Sequence, residues 1–253
     1  MRKFTSLLLM GLIIVSLFSI GSLANTNVLR VATEAGFMPF EFVDEKTNEL
    51  VGFDMDLIRE IGKILEMEVE IVNVGFDGLI PGILANQWDV VIAGVTITPE
   101  REESVSFSDP YYAAELAVLV RNDNKKITAV DQLEGAKVAV QIGTTGDLVA
   151  TYDIEGINQV LRFNTVPEAI LAVINRQADA AIIDLPVVNA YLKNNPNAPL
   201  KSLGSLFGEP DFFGIAVRKQ NPELLEKINA ALQQLKESGK YDEIYNKWFP
   251  DEN

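Results

Sequence analysis

Two periods of hydrophobicity take turns along this chain. Residues 28–32 form a short apolar run of the kind a buried strand shows. Across residues 53–65 the spacing lengthens. Leu57, Ile58, Ile61, Ile64 and Leu65 share one stripe, while Arg59, Glu60, Lys63 and Glu66 fall outside it, which predicts an amphipathic helix. The exchange repeats with a strand over 69–74, a helix over 79–85 and a buried strand over 89–93. Thr98-Pro99-Glu100 then marks a helix start: a capping hydroxyl, a proline in the first turn and an acid near the positive end of the dipole.

A second series opens with a strand over 116–120. The strand over 137–141 runs into Gly143-Thr144-Thr145-Gly146, which can turn tightly into a helix beginning near Asp147. A helix over 167–176, with Ala169, Ile170, Val173 and Ile174 inward, precedes a buried strand over 180–183 that ends at Asp184-Leu185-Pro186. Next come a strand over 213–217 and a long amphipathic helix over 222–237, closed by Gly239. A short helix over 240–249 follows, with Tyr241, Ile244, Tyr245 and Trp248 on its buried side. Strands alternating with amphipathic helices predict an α/β fold. No internal repeat or low-complexity stretch interrupts the pattern.

Composition narrows the chemistry. At 253 residues, 48% apolar and 23% charged, the chain is globular in usage and long enough for one large or two medium domains. Its formal charge of −15 argues against nucleic acid as a partner. There is no Cys, which excludes disulfides, thiolate nucleophiles and Cys-based zinc or iron–sulfur sites, and no His, the commonest general base near neutral pH. Catalysis by carboxylates or lysine stays open, but the balance moves towards binding. At the N-terminus Arg2 and Lys3 precede an apolar run from residue 7 to residue 20, and Ser22-Leu23-Ala24 supplies small residues. This predicts a secretory signal over residues 1–24 cleaved after Ala24; no Cys follows, so a lipoprotein is not expected. An uncleaved anchor is the competing reading, disfavoured by the short run.

Several segments occur together in a fixed order. They are Phe37-Met38-Pro39-Phe40-Glu41-Phe42, Gly52-Phe53-Asp54-Met55-Asp56-Leu57 with Ile61-Gly62 behind it, and Phe76-Asp77-Gly78-Leu79-Ile80-Pro81. Then come Ala93-Gly94-Val95-Thr96-Ile97-Thr98 with Arg101, Phe107-Ser108-Asp109-Pro110-Tyr111-Tyr112, Gly143-Thr144-Thr145-Gly146, and the C-terminal run from Tyr241 to Phe249. Each alone is a weak signal; in register over nearly the whole mature chain they are specific. The chain thereby resembles the polar amino-acid family, family 3, of bacterial extracellular solute-binding proteins.

That resemblance implies a two-lobed type II periplasmic-binding-protein fold of two α/β lobes. Lobe one would hold residues 25–112 and 211–253, and lobe two residues 117–206, with hinge crossovers at 113–116 and 207–210. The implied protein is a periplasmic monomer that takes a free polar L-amino acid to the membrane permease of an ABC importer, with no cofactor, metal or catalytic residue. A buried amino acid needs a fixed cation and amide donors for its carboxylate, and a carboxylate and carbonyls for its ammonium. Arg101 suits the first role, since a guanidinium grips a carboxylate bidentately. By resemblance Arg101, Thr96 and the Thr145 backbone N–H take the ligand carboxylate, and Asp184 and the Gly94 carbonyl, beside Ala93, take the ammonium. Phe37 and Phe76 would wall the side-chain slot.

Taken singly, each residue has an ordinary reading. Arg101 sits beside Glu100, Glu102 and Glu103 as a solvated residue would. Asp184 could cap a helix, Thr96 could be plain strand content, and Phe37 and Phe76 core. Ligand choice turns on Glu34, at a position where relatives carry an acid against the distal end of the ligand. Glutamine-binding relatives commonly carry Lys at the position of Gln141 and His at that of Ile183, and both are absent here. An acid without a nearby cation favours a positively charged ligand, so arginine, lysine or ornithine is expected, with glutamine second. As an ordinary residue, Glu34 is a solvent-facing loop acid. The alternatives are a cyclohexadienyl dehydratase-like enzyme on the same fold, a sensor ectodomain, which would need a membrane segment after Phe249, and a metal receptor built on carboxylates.

Overall fold

A computed structural model of the chain describes residues 27–250. The secretory signal expected over residues 1–24 lies outside the described residues. Two five-stranded mixed sheets form two lobes. In the first, Val28–Thr33 pairs in parallel with Glu68–Asn73 on one side and Val90–Val91 on the other. Ala216–Arg218 returns from far along the chain to run antiparallel between Val90–Val91 and Val105–Phe107. The second sheet repeats the order: Lys137–Gln141 lies parallel to Gln159–Phe163 and Ala180–Asp184. Leu116–Arg121 then runs antiparallel to Ala180–Asp184 and Leu200–Ser205. The central strands are continuous apolar runs because helices cover both of their faces.

The helices follow from the stripes that predict them. Phe53–Ile64 buries Leu57, Ile58 and Ile61 against Pro222–Glu237 and Lys240–Trp248. Phe76–Leu84 packs on Val90–Val91 and Ala216–Arg218, while Val166–Ile174 and Leu185–Asn194 serve the second lobe. Thr98 caps Pro99–Ser104, its hydroxyl accepting the Arg101 backbone N–H at 3.2 Å. Only Ile244 of the last helix is fully buried; Trp248 is half-buried and donates its indole N–H to Asp56 at 2.8 Å.

Two elements depart from expectation. The strand expected over 213–217 is two strands, Asp211–Phe213 and Ala216–Arg218. Between them the Gly214 N–H donates to the Val95 carbonyl and the Ile215 N–H to the Ser108 hydroxyl, so the segment leaves one ladder before joining the next. The helix expected near Asp147 begins at Thr145, capped by Thr144, and widens into a π-turn over Val149–Asp153.

The chain passes between the sheets twice, and the strands it uses, Tyr112–Ala114 and Asp211–Phe213, pair antiparallel. An aromatic cluster sits at this junction: the Phe40 ring centroid is 4.8 Å from Tyr112, 5.3 Å from Phe213 and 5.3 Å from Phe249. It is roofed by Phe37, stacked on Phe40 at 5.5 Å. Rings packed at these distances form a rigid floor. The space between the lobes opens directly above it.

Candidate functional site

A narrow cavity, with free space for little more than one water molecule, lies between the lobes. The first lobe lines it with Glu34, Phe37, Glu41, Phe76, Ala93, Gly94, Thr96 and Arg101, and the second with Gln141, Thr144, Thr145 and Asp184. All ten residues singled out in the sequence therefore share one wall system. Glu41 and Thr144 were missed. The signal for Glu41 was available: an acid between Phe40 and Phe42, in a run that otherwise buries rings.

Arg101 is held in place before any ligand contact is considered. Its backbone N–H bonds to the Thr98 cap, one terminal nitrogen donates to the Thr96 carbonyl at 2.8 Å and the other to the Gly143 carbonyl at 3.1 Å. The guanidinium carbon lies 5.5 Å from the centroid of the half-buried Phe76 ring. Two of five N–H groups are thus spent, leaving three for an anion. Burial pulls its pKa down to about 10, so it remains charged at neutral pH. The bond to Gly143 joins the two lobes.

Asp184 is the counter-pole. It ends the buried strand Ala180–Asp184 and occupies the cap position of Leu185–Asn194, yet its side chain makes no capping bond. The carboxyl is left to face the cavity. Burial, with the Asp211 charge adding to it, pushes its pKa up to about 7, against a hydrogen bond from its own backbone and the pull of Arg101. The guanidinium bonds to Thr96 and Gly143 rather than to Asp184, so cation and acid face one cavity without joining. The Gly143-Thr144-Thr145 loop that approaches Arg101 is fastened from behind. Buried Asp147 accepts the Gly143 N–H at 3.1 Å and pairs with Arg162 at 2.9 Å.

Glu34 is buried at 5% exposure, not a solvent-facing loop acid. Its carboxylate accepts the Gln141 amide N–H at 3.0 Å, a second bond across the lobes. Burial raises its pKa while the Gln141 bond draws it back. Gly94 turns with φ +53°, and a Cβ there would stand 2.6 Å from the Phe37 ring, so glycine is required. The Gly94 N–H donates to Asp54 at 2.9 Å, and the Tyr111 hydroxyl donates to the same oxygen at 2.8 Å. No group of three or more His, Cys, Asp or Glu able to hold a metal occurs among the described residues.

Residues 29–251 match the family model described as bacterial extracellular solute-binding proteins, family 3. ABC transporter arginine-binding protein 1 of Escherichia coli (strain K12) is 34% identical over 237 residues, covering 92% of this chain and 95% of the relative. Two solved structures of an ancestral arginine-binding protein are similar. The one bound to glutamine has a TM-score of 0.84 at 46% identity, and the one bound to arginine 0.82 at 47%; each covers 88% of this chain and 98% of the other. The arginine-, lysine-, histidine-binding protein ArtJ from Geobacillus stearothermophilus superposes with a TM-score of 0.84 at 36% identity, covering 90% of this chain and 97% of its own.

Proposed function

The chain belongs to family 3 of the bacterial extracellular solute-binding proteins, and from that premise we propose that it captures a free L-amino acid with a cationic side chain for an ABC importer. Arginine is the first choice, with lysine and ornithine in the same class. The supporting observation is the separation of charges: Arg101 on one lobe and Asp184 on the other face one cavity without bonding to each other. Once the lobes part, a zwitterion can lie between them, its carboxylate on the spare N–H groups of Arg101, the Thr96 side and the first N–H groups at Thr145, which lack intrahelical acceptors. Its ammonium takes Asp184 and the Gly94 carbonyl. The side chain then runs between Phe37 and Phe76 towards Glu34. Relatives named for arginine agree with this polarity.

The Glu34–Gln141 and Arg101–Gly143 bonds hold the lobes together in this closed arrangement. Entry of a ligand requires them to part about the paired strands Tyr112–Ala114 and Asp211–Phe213, which overlap or adjoin the crossovers expected at 113–116 and 207–210, a hinge motion. Export by a signal cleaved after Ala24 places this monomer in the periplasm, where it delivers ligand to a membrane permease without catalysing a reaction.

Glutamine is the second reading, favoured by one contact. Glu34 already accepts a primary amide N–H from Gln141, the same donor that a glutamine ligand would present. A thermal-shift and calorimetric panel of arginine, lysine, ornithine and glutamine separates the two. Ligand at about 100 times its Kd stabilises the folded form by about 2.7 kcal/mol. If no amino acid raises the melting temperature, or if prephenate or arogenate is turned over instead, the binding assignment fails.

A further inference from the structure

A second acid pair, Glu41 in the cavity wall and Asp54 behind it, has no role in the ligand contacts above. Glu41 is 1% exposed and Asp54 fully buried. The Glu41 carboxyl lies beside that of Asp54, and both Glu41 oxygens and Asp54 Oδ1 lack any hydrogen-bond partner, while Asp54 Oδ2 is engaged by the Gly94 N–H and the Tyr111 hydroxyl. Three buried oxygens without partners are costly, and two adjacent buried carboxylates repel strongly. A single proton resolves both problems, because a carboxylic acid donates where a carboxylate can only accept.

We propose that Glu41 and Asp54 hold one proton between them, Glu41 donating to Asp54, and that the charge so retained on Asp54 positions the Gly94 turn at the wall of the cavity. Glu41 and Asp54 are positioning residues: neither needs to touch the ligand. The surrounding charges agree. Glu34 and Asp184 face Glu41 from the cavity and disfavour its ionisation, Asp54 lies beside it, and Tyr111 and Tyr241 stand near Asp54 as neutral phenols. Among the described residues, Arg101 is the only cation lining the same cavity. Burial and Asp54 raise the Glu41 pKa well above the ordinary range, and burial brings Asp54 to about 6. Only the relevance of Gly94 rests on the amino-acid reading, through its carbonyl.

The proton makes a testable statement about folding. The folded chain keeps a proton that an unfolded Glu, with an ordinary pKa of about 4.3, has released, so stability falls as pH rises above that value. Denaturant unfolding of the full ligand-free protein between about pH 6.5 and pH 8, where Asp54 is ionised, measures this, comparing wild type with Glu41→Gln and Asp54→Asn. The wild-type folded-to-unfolded ratio is expected to fall about tenfold more per pH unit than that of Glu41→Gln, whose amide keeps the bond to Asp54 without titrating. Asp54→Asn should flatten the slope equally, its amide donating to an ionised Glu41. Parallel profiles for all three proteins would overturn the shared proton. Should the variants not fold, carboxyl-carbon NMR of wild type decides: titration of Glu41 in the ordinary glutamate range refutes the proposal, and titration well above it supports it. For positioning, Gly94 amide exchange in Asp54→Ala should accelerate on the order of a hundredfold with the loss of its charged acceptor; unchanged protection refutes that half. None of these measurements uses an amino acid, so a failure here is distinct from a failure to bind one.

Discussion

If Asp184 takes the ligand ammonium, ligand affinity is a function of pH, with a sign opposite to the effect of Asp184 on folding. In the unliganded protein burial pushes its pKa up to about 7, so near neutrality about half of the molecules carry a neutral acid there. A ligand ammonium selects the ionised form, and binding becomes linked to loss of that proton. Between about pH 8 and pH 5 the ionised fraction falls from about nine-tenths to about one-hundredth, which weakens affinity on the order of a hundredfold, or about 2.7 kcal/mol. The stability of the empty protein runs the other way. An acid whose folded pKa lies above its unfolded value of about 3.9 destabilises the fold progressively as pH rises from that value towards 7. Isothermal titration of arginine at several pH values measures the affinity limb. The Asp184→Asn variant isolates the residue: it should bind more weakly at about pH 8 and lose the slope contributed by this group. An affinity that stays flat from about pH 5 to pH 8 in wild type, or an equal slope in Asp184→Asn, would show that Asp184 does not take the ammonium.

Other perturbations test the remaining parts of the site. Arg101→Ala removes two charge-assisted hydrogen bonds of about 1.5–3 kcal/mol each, so arginine binding should weaken at least a hundredfold by calorimetry. Retention within tenfold counts against the clamp. Arg101→Lys should fall between, since a single ammonium cannot grip bidentately. Glu34→Gln should weaken arginine and lysine far more than glutamine, and equal losses would mean that Glu34 does not read the side chain. Gly94→Ala places a Cβ 2.6 Å from the Phe37 ring at φ +53°, so urea unfolding should show destabilisation of roughly 1–3 kcal/mol from the backbone alone.

Local signals carried much of the architecture. The helix Pro222–Glu237 and the strand Lys137–Gln141 have the bounds their patterns predict, and Thr98 caps as its neighbours Pro99 and Glu100 suggest, because stripes and caps are short-range properties of the chain. Edge elements were not legible. Gln159–Phe163 and Leu200–Ser205 lie at the margins of the second sheet, and the strands over residues 36–51 are only two or three residues long, too short to show a period. The break at Gly214 was invisible as well, since it depends on Val95 and Ser108, more than a hundred residues away in sequence.

The candidate site divides in the same way. Residue types at Arg101, Asp184 and Glu34 spoke of a zwitterion and a distal cation, and the order of motifs pointed to one family. Taken singly, however, each residue was as consistent with surface or cap duty. Whether Asp184 spends its carboxyl on its own helix, whether Glu34 is dry and whether Glu41 joins Asp54 are decided by which side chains are brought within a few ångströms across two lobes. Composition and periodicity are sums over near neighbours, whereas desolvation and charge pairing depend on distance through space, and only the folded chain sets that distance.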